Sequence, residues 1–172
     1  MPDLVPAGAR VRVGDINARA PYTVAYESIT TTTAAITSTT PTAAITTDPL
    51  TFRNGRAYRV SYRGGMSSNN LGQQGSVLVT RGTATGPAIL NSQRIQCADG
   101  QAGTVGFYFE NVVVNNTGLD VVTALVGTYQ MVYQTAGTNT GTVAVFGSSA
   151  TPAYLEVVDI GPAADYPNAT PL

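Results

Sequence analysis

Four carboxylates in the second half of the chain are of the residue type that glycoside hydrolysis requires. That reaction uses two carboxylates on either side of the scissile bond. Glu156 and Asp159 lie on one predicted strand with opposite parity, so a regular strand turns them to opposite faces. Glu110 and Asp120 flank a predicted hairpin, which would allow them to approach each other. The tyrosines that would have to line a cleft mostly sit at strand spacing, which is typical of core or interface residues, so we expect no catalysis.

Other catalytic chemistry lacks its usual residues. The chain contains no histidine, which removes the usual general base and the usual metal ligand. Cys97 is the single cysteine, so it forms no internal disulfide, and without histidine it is a half-buried apolar residue rather than a nucleophile. No Gly-Lys-Ser/Thr phosphate loop and no calcium-loop pattern is present. We therefore predict a non-enzymatic protein without cofactor or metal.

Arginine supplies every positive charge of the chain, and four arginines form one dense cluster. These are Arg53, Arg56, Arg59 and Arg63. One interpretation is an exposed strand face on which each arginine covers apolar surface with its stem. The other is an interface that grips acidic groups of a neighbouring subunit, and we take these four residues as the candidate interface.

Charge is scarce and unevenly placed along the chain. Charged residues make up 11% of it, where an ordinary soluble domain has roughly 25%. All nine arginines lie between Arg10 and Arg94, and only acidic charges follow Cys97. This uneven distribution of charge would suit a head-to-tail contact between subunits. The alternative is that strands of the two halves interleave, so that the charges mix on one surface. The net charge of −1 predicts no nucleic-acid partner, and the lack of a long apolar run predicts no membrane partner.

Alternating short segments dominate the pattern, and no segment has helical periodicity. In "RAYRVSYRG" the side chains of Tyr58, Val60 and Tyr62 point one way, while Arg59, Ser61 and Arg63 point the other way. Further strands are predicted between turn-rich connections. Their ranges are 75–82, 88–96, 104–116, 120–133, 141–147 and 153–161.

The fold class predicted from this spacing is an all-β, antiparallel, jelly-roll-like β-sandwich with extended arms at both ends. The predicted organisation is an N-terminal arm at 1–20, a sandwich domain at 21–161 and an extended C-terminal tail at 162–172. The threonine-rich tract Ser28–Thr47 is charge-free and carries scattered isoleucines, so we predict two extended segments within the fold rather than a glycosylated stalk. Tyr22, Val24 and Tyr26 alternate just before it and are predicted to share one face.

Three stretches together resemble small virion proteins of tailed bacteriophages that infect actinobacteria. They are "RNGRAYRVSYRGG" (53–65), "VVVNNTGLDVVTALVGTY" (112–129) and "TPAYLEVVDIGPA" (151–163). The opening "PAGARVRVGDINARAPY" is also similar to the start of such proteins. The resemblance implies a jelly-roll or tumour-necrosis-factor-like sandwich, commonly trimeric, on the virion exterior. It supplies no site motif, so no functional residue is carried over.

The resulting expectation is a structural virion protein that associates with itself, as a trimer, and with other virion proteins. Between the two locations on the particle, we prefer the phage tail to a role in decoration of the head. The alternative is a module on the same fold that binds carbohydrate on a host surface through loop aromatics such as Tyr22, Tyr108 and Tyr154. A glycan-cleaving tail enzyme is the third possibility and requires two carboxylates converging in a cleft.

Overall fold

The computed structural model describes residues 20–70, 72–97, 104–132 and 141–172. The predicted N-terminal arm at 1–20 lies outside these ranges except for Ala20. In chain order the strands are β1 (Tyr22–Ile29), β2 (Thr42–Thr46), β3 (Leu50–Phe52), β4 (Arg56–Ser68), β5 (Gln74–Arg81), β6 (Ala88–Gln96), β7 (Thr104–Asn115), β8 (Val121–Thr123), β9 (Leu125–Val132), β10 (Val143–Phe146), β11 (Ala153–Pro162) and β12 (Thr170–Pro171). A single 3-10 turn, Ala163–Asp165, follows β11.

Two sheets form a sandwich with jelly-roll connectivity. The larger sheet has the order β1-β11-β4-β7-β12, with β10 also paired to β4, and the smaller has the order β2-β9-β5-β6. Without the short strands β3, β8, β10 and β12, eight main strands remain. In chain order the first, eighth, third and sixth form one sheet, and the second, seventh, fourth and fifth form the other, which is the double Greek key of a jelly roll. The predicted all-β sandwich is thus confirmed.

The core lies between the inward faces of the two sheets. On β4 the side chains of Tyr58, Val60 and Tyr62 are at most 1% exposed, whereas Arg59 and Arg63 are exposed, as the alternation predicts. Val77 of β5 and Tyr129 of β9 meet them from the smaller sheet in one continuous cluster. A position that alternates inward on a strand is removed from water, and this burial is the main force that holds the two sheets together.

The threonine-rich tract is part of the fold. Its start belongs to β1 and its end to β2, which lie in different sheets. Between them, the backbone N–H of Thr33 donates to the carbonyl of Val145, and Ile36 exchanges two backbone hydrogen bonds with Val143. The connection therefore lies along β10 and carries the chain from one sheet to the other.

A β-bulge in β1 corrects the prediction that Tyr22, Val24 and Tyr26 share a face. Tyr22 lies opposite Asp159 and Tyr26 lies opposite Glu156, with a register shift between Thr23 and Ala25. Asp159 and Glu156 have opposite parity on a regular stretch of β11. The extra residue of the bulge therefore turns Tyr22 and Tyr26 to opposite faces of the sheet.

One predicted strand, 120–133, is divided in two at Ala124. Its first part, β8, pairs with β3 in a separate two-stranded ribbon, and its second part, β9, lies between β2 and β5. The carbonyl of Ala124 accepts a hydrogen bond from the N–H of Gly82, so the break is a connection between two sheets.

The C-terminal residues, predicted as an extended tail, lie against the sheet of their own chain. β12 pairs in parallel with β7, with Thr170 opposite Val113, and the N–H of Leu172 donates to the carbonyl of Val114. Tyr166 and Ala169 pack on a small cluster of buried residues formed by Ala57, Val114 and Ala163. The tail thus covers the end of the larger sheet at which β4 begins and β11 ends; we refer to this region as the tail end.

Candidate functional site

The outward face of the larger sheet carries a row of aromatic and charged side chains away from the tail end. Tyr154 of β11 lies opposite Arg63 of β4, and Arg63 lies opposite Tyr108 of β7. The next row toward the tail end runs from Tyr26 through Glu156 to Ser61 and Glu110. Because the strands are about 4.8 Å apart, Tyr154 and Tyr108 stand roughly 10 Å from each other with Arg63 between them.

These residues line a groove of about 940 Å³. We refer to it as the tyrosine groove. It is lined by Tyr26, Arg63, Gly65, Gly106, Tyr108 and Tyr154, and its far wall is the segment from Phe146 to Pro152. Gly65 and Gly106 are cross-strand partners, and an added Cβ at Gly106 would have no atom within 4 Å. The groove is therefore open above Gly106, whereas Thr104 and Phe146 lie over Gly65.

Aromatic rings stand on both sides of the groove. Tyr26 and Tyr154 lie side by side with ring centroids 5.4 Å apart and planes tilted by 30°. Tyr26 is 50% exposed and Tyr108 is 55% exposed. Large apolar rings that remain half in water on a sheet face offer contact area to a ligand.

A hydrogen bond to a neighbouring carboxylate fixes the Tyr108 ring. The phenol donates to Oε2 of Glu110 at 2.5 Å, two residues along the same face of β7. This bond to the carboxylate raises the pKa of Tyr108, because it favours the protonated phenol that donates the bond. Glu110 Oε2 also lies 3.9 Å from Nε of Arg59, so the three side chains form one exposed polar chain.

Arg63 stands apart from this chain of contacts. Its side chain is exposed, and within the ranges that the structure describes no hydrogen-bond acceptor or carboxylate contacts its guanidinium group. A guanidinium carries five N–H donors in a fixed planar arrangement. The groove therefore presents an uncommitted donor group between two aromatic rings.

The four arginines of the predicted interface do not form one patch. Arg59 and Arg63 share the outward face of β4, roughly 14 Å apart along the strand. Arg53 is exposed in the turn before β4, at the tail end. Arg56 has the parity of Tyr58 and belongs to the inward side of the sheet. An interface role stays a prediction for the three exposed arginines, whereas Arg56 serves the interior.

Arg56 forms an ion pair with a fully buried carboxylate. Its Nε donates to Oδ2 of Asp159 at 2.9 Å, and its Nη2 donates to Oδ1 at 2.5 Å. The Asp159 side chain is 0% exposed, that of Arg56 is 17% exposed, and Oδ1 also accepts from the N–H of Gly161. The pair raises the pKa of Arg56, chiefly through the side-chain hydrogen bond. Two parallel charge-assisted bonds of this kind are strong and fix orientation.

The sheet order also mixes the charges of the two halves of the chain. β4, which bears three of the clustered arginines, lies between β7 and β11, which bear Glu110, Glu156 and Asp159. Strands from the two halves of the chain thus interleave in this sheet. The uneven distribution of charge along the sequence therefore does not produce one basic and one acidic region on the sheet.

The carboxylates proposed as catalytic pairs take different places. Asp159 is inward and Glu156 outward on β11, as their parity predicts. Glu110 lies five residues before Asn115, the last residue of β7. Asp120 lies in the turn after β7, where it accepts a hydrogen bond from the N–H of Asn54, so Glu110 and Asp120 do not converge. Glu110 and Glu156 share a row on either side of Ser61, roughly 10 Å apart at the backbone, and neither lines the tyrosine groove.

Cys97 is buried at the inner end of β6. Its Sγ lies 3.7 Å from the carbonyl of Met66, and burial raises the pKa of its thiol. In the described ranges, no group of three or more Cys, Asp or Glu side chains is arranged to hold a metal ion. Those same ranges contain no apolar helix of membrane-spanning length.

Sequence reasoning found part of the groove and missed part. Tyr108 and Tyr154, named as sugar-binding aromatics, do line it, whereas Tyr22 lies on the other side of the bulge. Tyr26 takes the place expected of Tyr22. Gly65 and Gly106 were not recognised as a groove floor, because only the strand register shows that they are partners. Gly106 lies on the predicted strand 104–116, whereas Gly65 lies one residue beyond the predicted strand 56–64, which the structure extends to Ser68.

Comparison with solved structures gives several similar chains, whereas no protein-family model or curated sequence matches the chain. The chain is similar to the structure of infectious bursal disease virus, Gx strain, with 11% identity and a TM-score of 0.38 over 83% of this chain and 36% of that one. It is also similar to the enzymatically active domain of tailspike protein 4 of bacteriophage CBA120, with 13% identity and a TM-score of 0.26 over 66% of this chain and 14% of that one. The chain thus spans about a third of the first protein's length and about a seventh of the second's.

Proposed function

We propose that this chain is a non-enzymatic structural component of a tailed-phage virion, which assembles with its own copies and with other virion proteins on the particle exterior. The observation that carries the proposal is the jelly-roll strand order, because the resembling phage proteins are expected to have that fold. The three resembling stretches comprise most of β4, the segment from β7 to β9, and β11. β4, β7 and β11 are hydrogen-bonded neighbours in the larger sheet, and the second stretch continues through β8 into β9 of the smaller sheet, so the resemblance extends over both sheets.

An exposed apolar site at the tail end suits such assembly. Leu119 is 75% exposed in the turn after β7, and Val122 of β8 is 66% exposed. The adjoining turn of Arg53 and Asn54 is joined to this loop, since the Asn54 side chain accepts from the N–H of Gly118. Apolar side chains next to an arginine form the kind of surface that protein interfaces use. We propose that three copies of the chain form a trimer through this site, and that the trimer belongs to the phage tail rather than to the phage head.

Light scattering after size-exclusion chromatography tests the proposal. At micromolar concentration the wild type is expected to elute as an oligomer, and Leu119→Ser with Val122→Ser is expected to shift it toward monomer. Tyr26→Ser, which removes another exposed ring from a different site, is the matched control and should leave the oligomer unchanged. A wild-type monomer that purified virion proteins also fail to retain would count against the structural role.

The non-enzymatic part of the proposal has its own test. Glu110 and Glu156 are the carboxylates that face the same side of the sheet. Incubation of the protein with oligosaccharides is expected to release no reducing ends. Release by the wild type that is abolished in Glu156→Gln would show a glycan-cleaving enzyme instead.

A further inference from the structure

We propose that the tyrosine groove binds a pyranose oligosaccharide, with sugar rings on Tyr26, Tyr154 and Tyr108 and sugar hydroxyls on Arg63. The proposal goes beyond the structural role, since it assigns a ligand and a site to one face of the sandwich. It does not depend on assembly, because all of the residues that it uses belong to one copy of the chain.

The spacing of the aromatic rings is the first argument. The face of an aromatic ring carries partial negative charge, so it attracts the C–H groups that line one face of a pyranose. Tyr26 and Tyr154 form one platform on one side of the groove, and Tyr108 forms a second platform two strands away, roughly 10 Å from Tyr154 at the backbone. Two platforms at this separation suit consecutive sugars of a chain rather than a single compact ligand.

The polar groups between and beside the platforms are the second argument. A sugar hydroxyl both donates and accepts, so a site for it needs donors and acceptors close together. Arg63 supplies donors in the middle of the row, and Glu156, in the adjoining row just outside the groove, supplies acceptors at its border. With opposite charges so close together, the groove suits an uncharged polyhydroxyl surface better than a strongly charged ligand.

The shape of the groove is the third argument. Its volume of about 940 Å³ falls within the range of small-molecule sites. The open space above Gly106 leaves room for a ligand to approach the backbone there, whereas Thr104 and Phe146 fill the space at Gly65. The rigid sheet below means that little conformational entropy is lost when a ligand binds.

Binding to an immobilised panel of neutral tetrasaccharides (cello-, malto-, manno- and chitotetraose) and of tetragalacturonate tests the proposal. The wild-type protein is expected to retain at least one neutral member of the panel. Binding of neutral members supports the site, with a hydroxyl on Arg63. Binding of tetragalacturonate alone would place a carboxylate on Arg63 and would overturn the proposed recognition of an uncharged saccharide. The affinity for the bound member is then measured by calorimetry on variants.

Matched variants assign the site. Arg63→Ala, Tyr108→Ala and Tyr26→Ala are each expected to weaken binding at least tenfold. Tyr22→Ala and Arg53→Ala are the controls, because Tyr22 is similarly exposed on the opposite side of β1 and Arg53 lies in the turn at the tail end. Equal loss in Tyr22→Ala and Tyr26→Ala, or no loss in the Arg63 and Tyr108 variants, would overturn the assignment.

The remaining outcomes separate this proposal from the structural role. A wild-type protein that retains no saccharide would overturn the saccharide site and leave the virion role untouched. Loss of the oligomer in Arg63→Ala with Tyr108→Ala would show that the groove is a protein interface and would also overturn it. Saccharide binding by a protein that remains monomeric would support the groove while counting against the proposed assembly.

Discussion

The two ends of the larger sheet differ in how their outward faces are used. At the tail end, β4 and β7 present small apolar residues such as Ala57 and Val114, and the C-terminal residues of the same chain cover them. At the groove end, the same two strands present Arg63 and Tyr108, and the groove above them stays open. The chain thus supplies its own cover where the face is apolar.

The difference indicates where an external partner would bind. An apolar face left in water is costly, and burial under Tyr166 and Ala169 removes that cost at the tail end. Half-exposed tyrosines with a polar tip tolerate water, so the groove end is stable without a cover. We therefore expect substitutions under the C-terminal cover to lower the free energy of unfolding and substitutions at the groove to affect saccharide binding, while Leu119 and Val122 beside the cover serve the proposed assembly.

The largest difference in the effect of substitutions on the free energy of unfolding is expected between two acidic residues of β11. Asp159→Asn removes the buried partner of Arg56 and should lower the free energy of unfolding by about 3 kcal/mol, because a buried charge is left uncompensated. Glu156→Gln, three residues earlier on the same strand but outward, should change it by less than about 0.5 kcal/mol. Urea unfolding followed by tyrosine fluorescence measures both. Equal effects of the two substitutions would contradict the comparison.

The C-terminal residues that cover the tail end are expected to make the next largest contribution to the free energy of unfolding. Tyr166→Ala removes the hydrogen bond from its phenol to the carbonyl of Ile160 and the ring that packs on the apolar cluster. The loss should be about 2 kcal/mol, half from the hydrogen bond and half from packing. Tyr26→Ala at the groove end should cost less than about 1 kcal/mol in the same unfolding experiment. A larger cost for Tyr26 would mean that the groove tyrosines are structural.

The two glycines of the groove floor provide a finer test. An added Cβ at Gly65 would stand 2.5 Å from Cγ2 of Thr104, so Gly65→Ala should cost about 1 kcal/mol. Gly106→Ala meets open space and should stabilise by about 0.5 kcal/mol, because alanine restricts the unfolded chain. Thermal unfolding of the two variants side by side distinguishes them. Destabilisation by both would show that the space above Gly106 is filled.

The smallest effect concerns Cys97, which contacts Met66 beneath the groove end. Burial raises the pKa of its thiol, so less thiolate forms at a given pH and its reaction with a disulfide reagent is slow. At pH 8 we expect modification of the native protein only at the rate of unfolding, and rapid modification in urea. Fast modification of the native protein would mean that the groove end opens locally, unlike the covered end.

Local alternation was sufficient to predict most of the fold. The strand at 88–96 has the predicted bounds, and the inward tyrosines of β4 follow from their period of two. The same parity places Arg56 with Tyr58, so its inward position was present in the sequence although the arginines were treated as one cluster. Its partner Asp159 is 103 residues away, and no local pattern connects the two.

Features that depend on the register between strands could not be predicted from the local alternation of residues. The bulge in β1 changes which of Tyr22 and Tyr26 faces the groove, and it arises from pairing with β11 rather than from a glycine or proline in β1. The break at Ala124 is likewise a change of sheet rather than a change of composition. Long-range pairing decides both, which is why the groove was only partly predicted.

The short parallel strand β12 has a consequence for polymerisation. A jelly-roll sheet that ends in an unpaired strand offers its edge to the next copy, and a sheet with two such edges can add copies without limit. Thr170 and Pro171 pair with Val113 and Val114 at the tail end of the β7 edge, and proline lacks the N–H that a further strand would need. Of the strands that the structure describes, β1 is then the edge left at the other side of this sheet. At the tail end of β7, residues 170–171 of the same chain therefore block the addition of a strand from another copy.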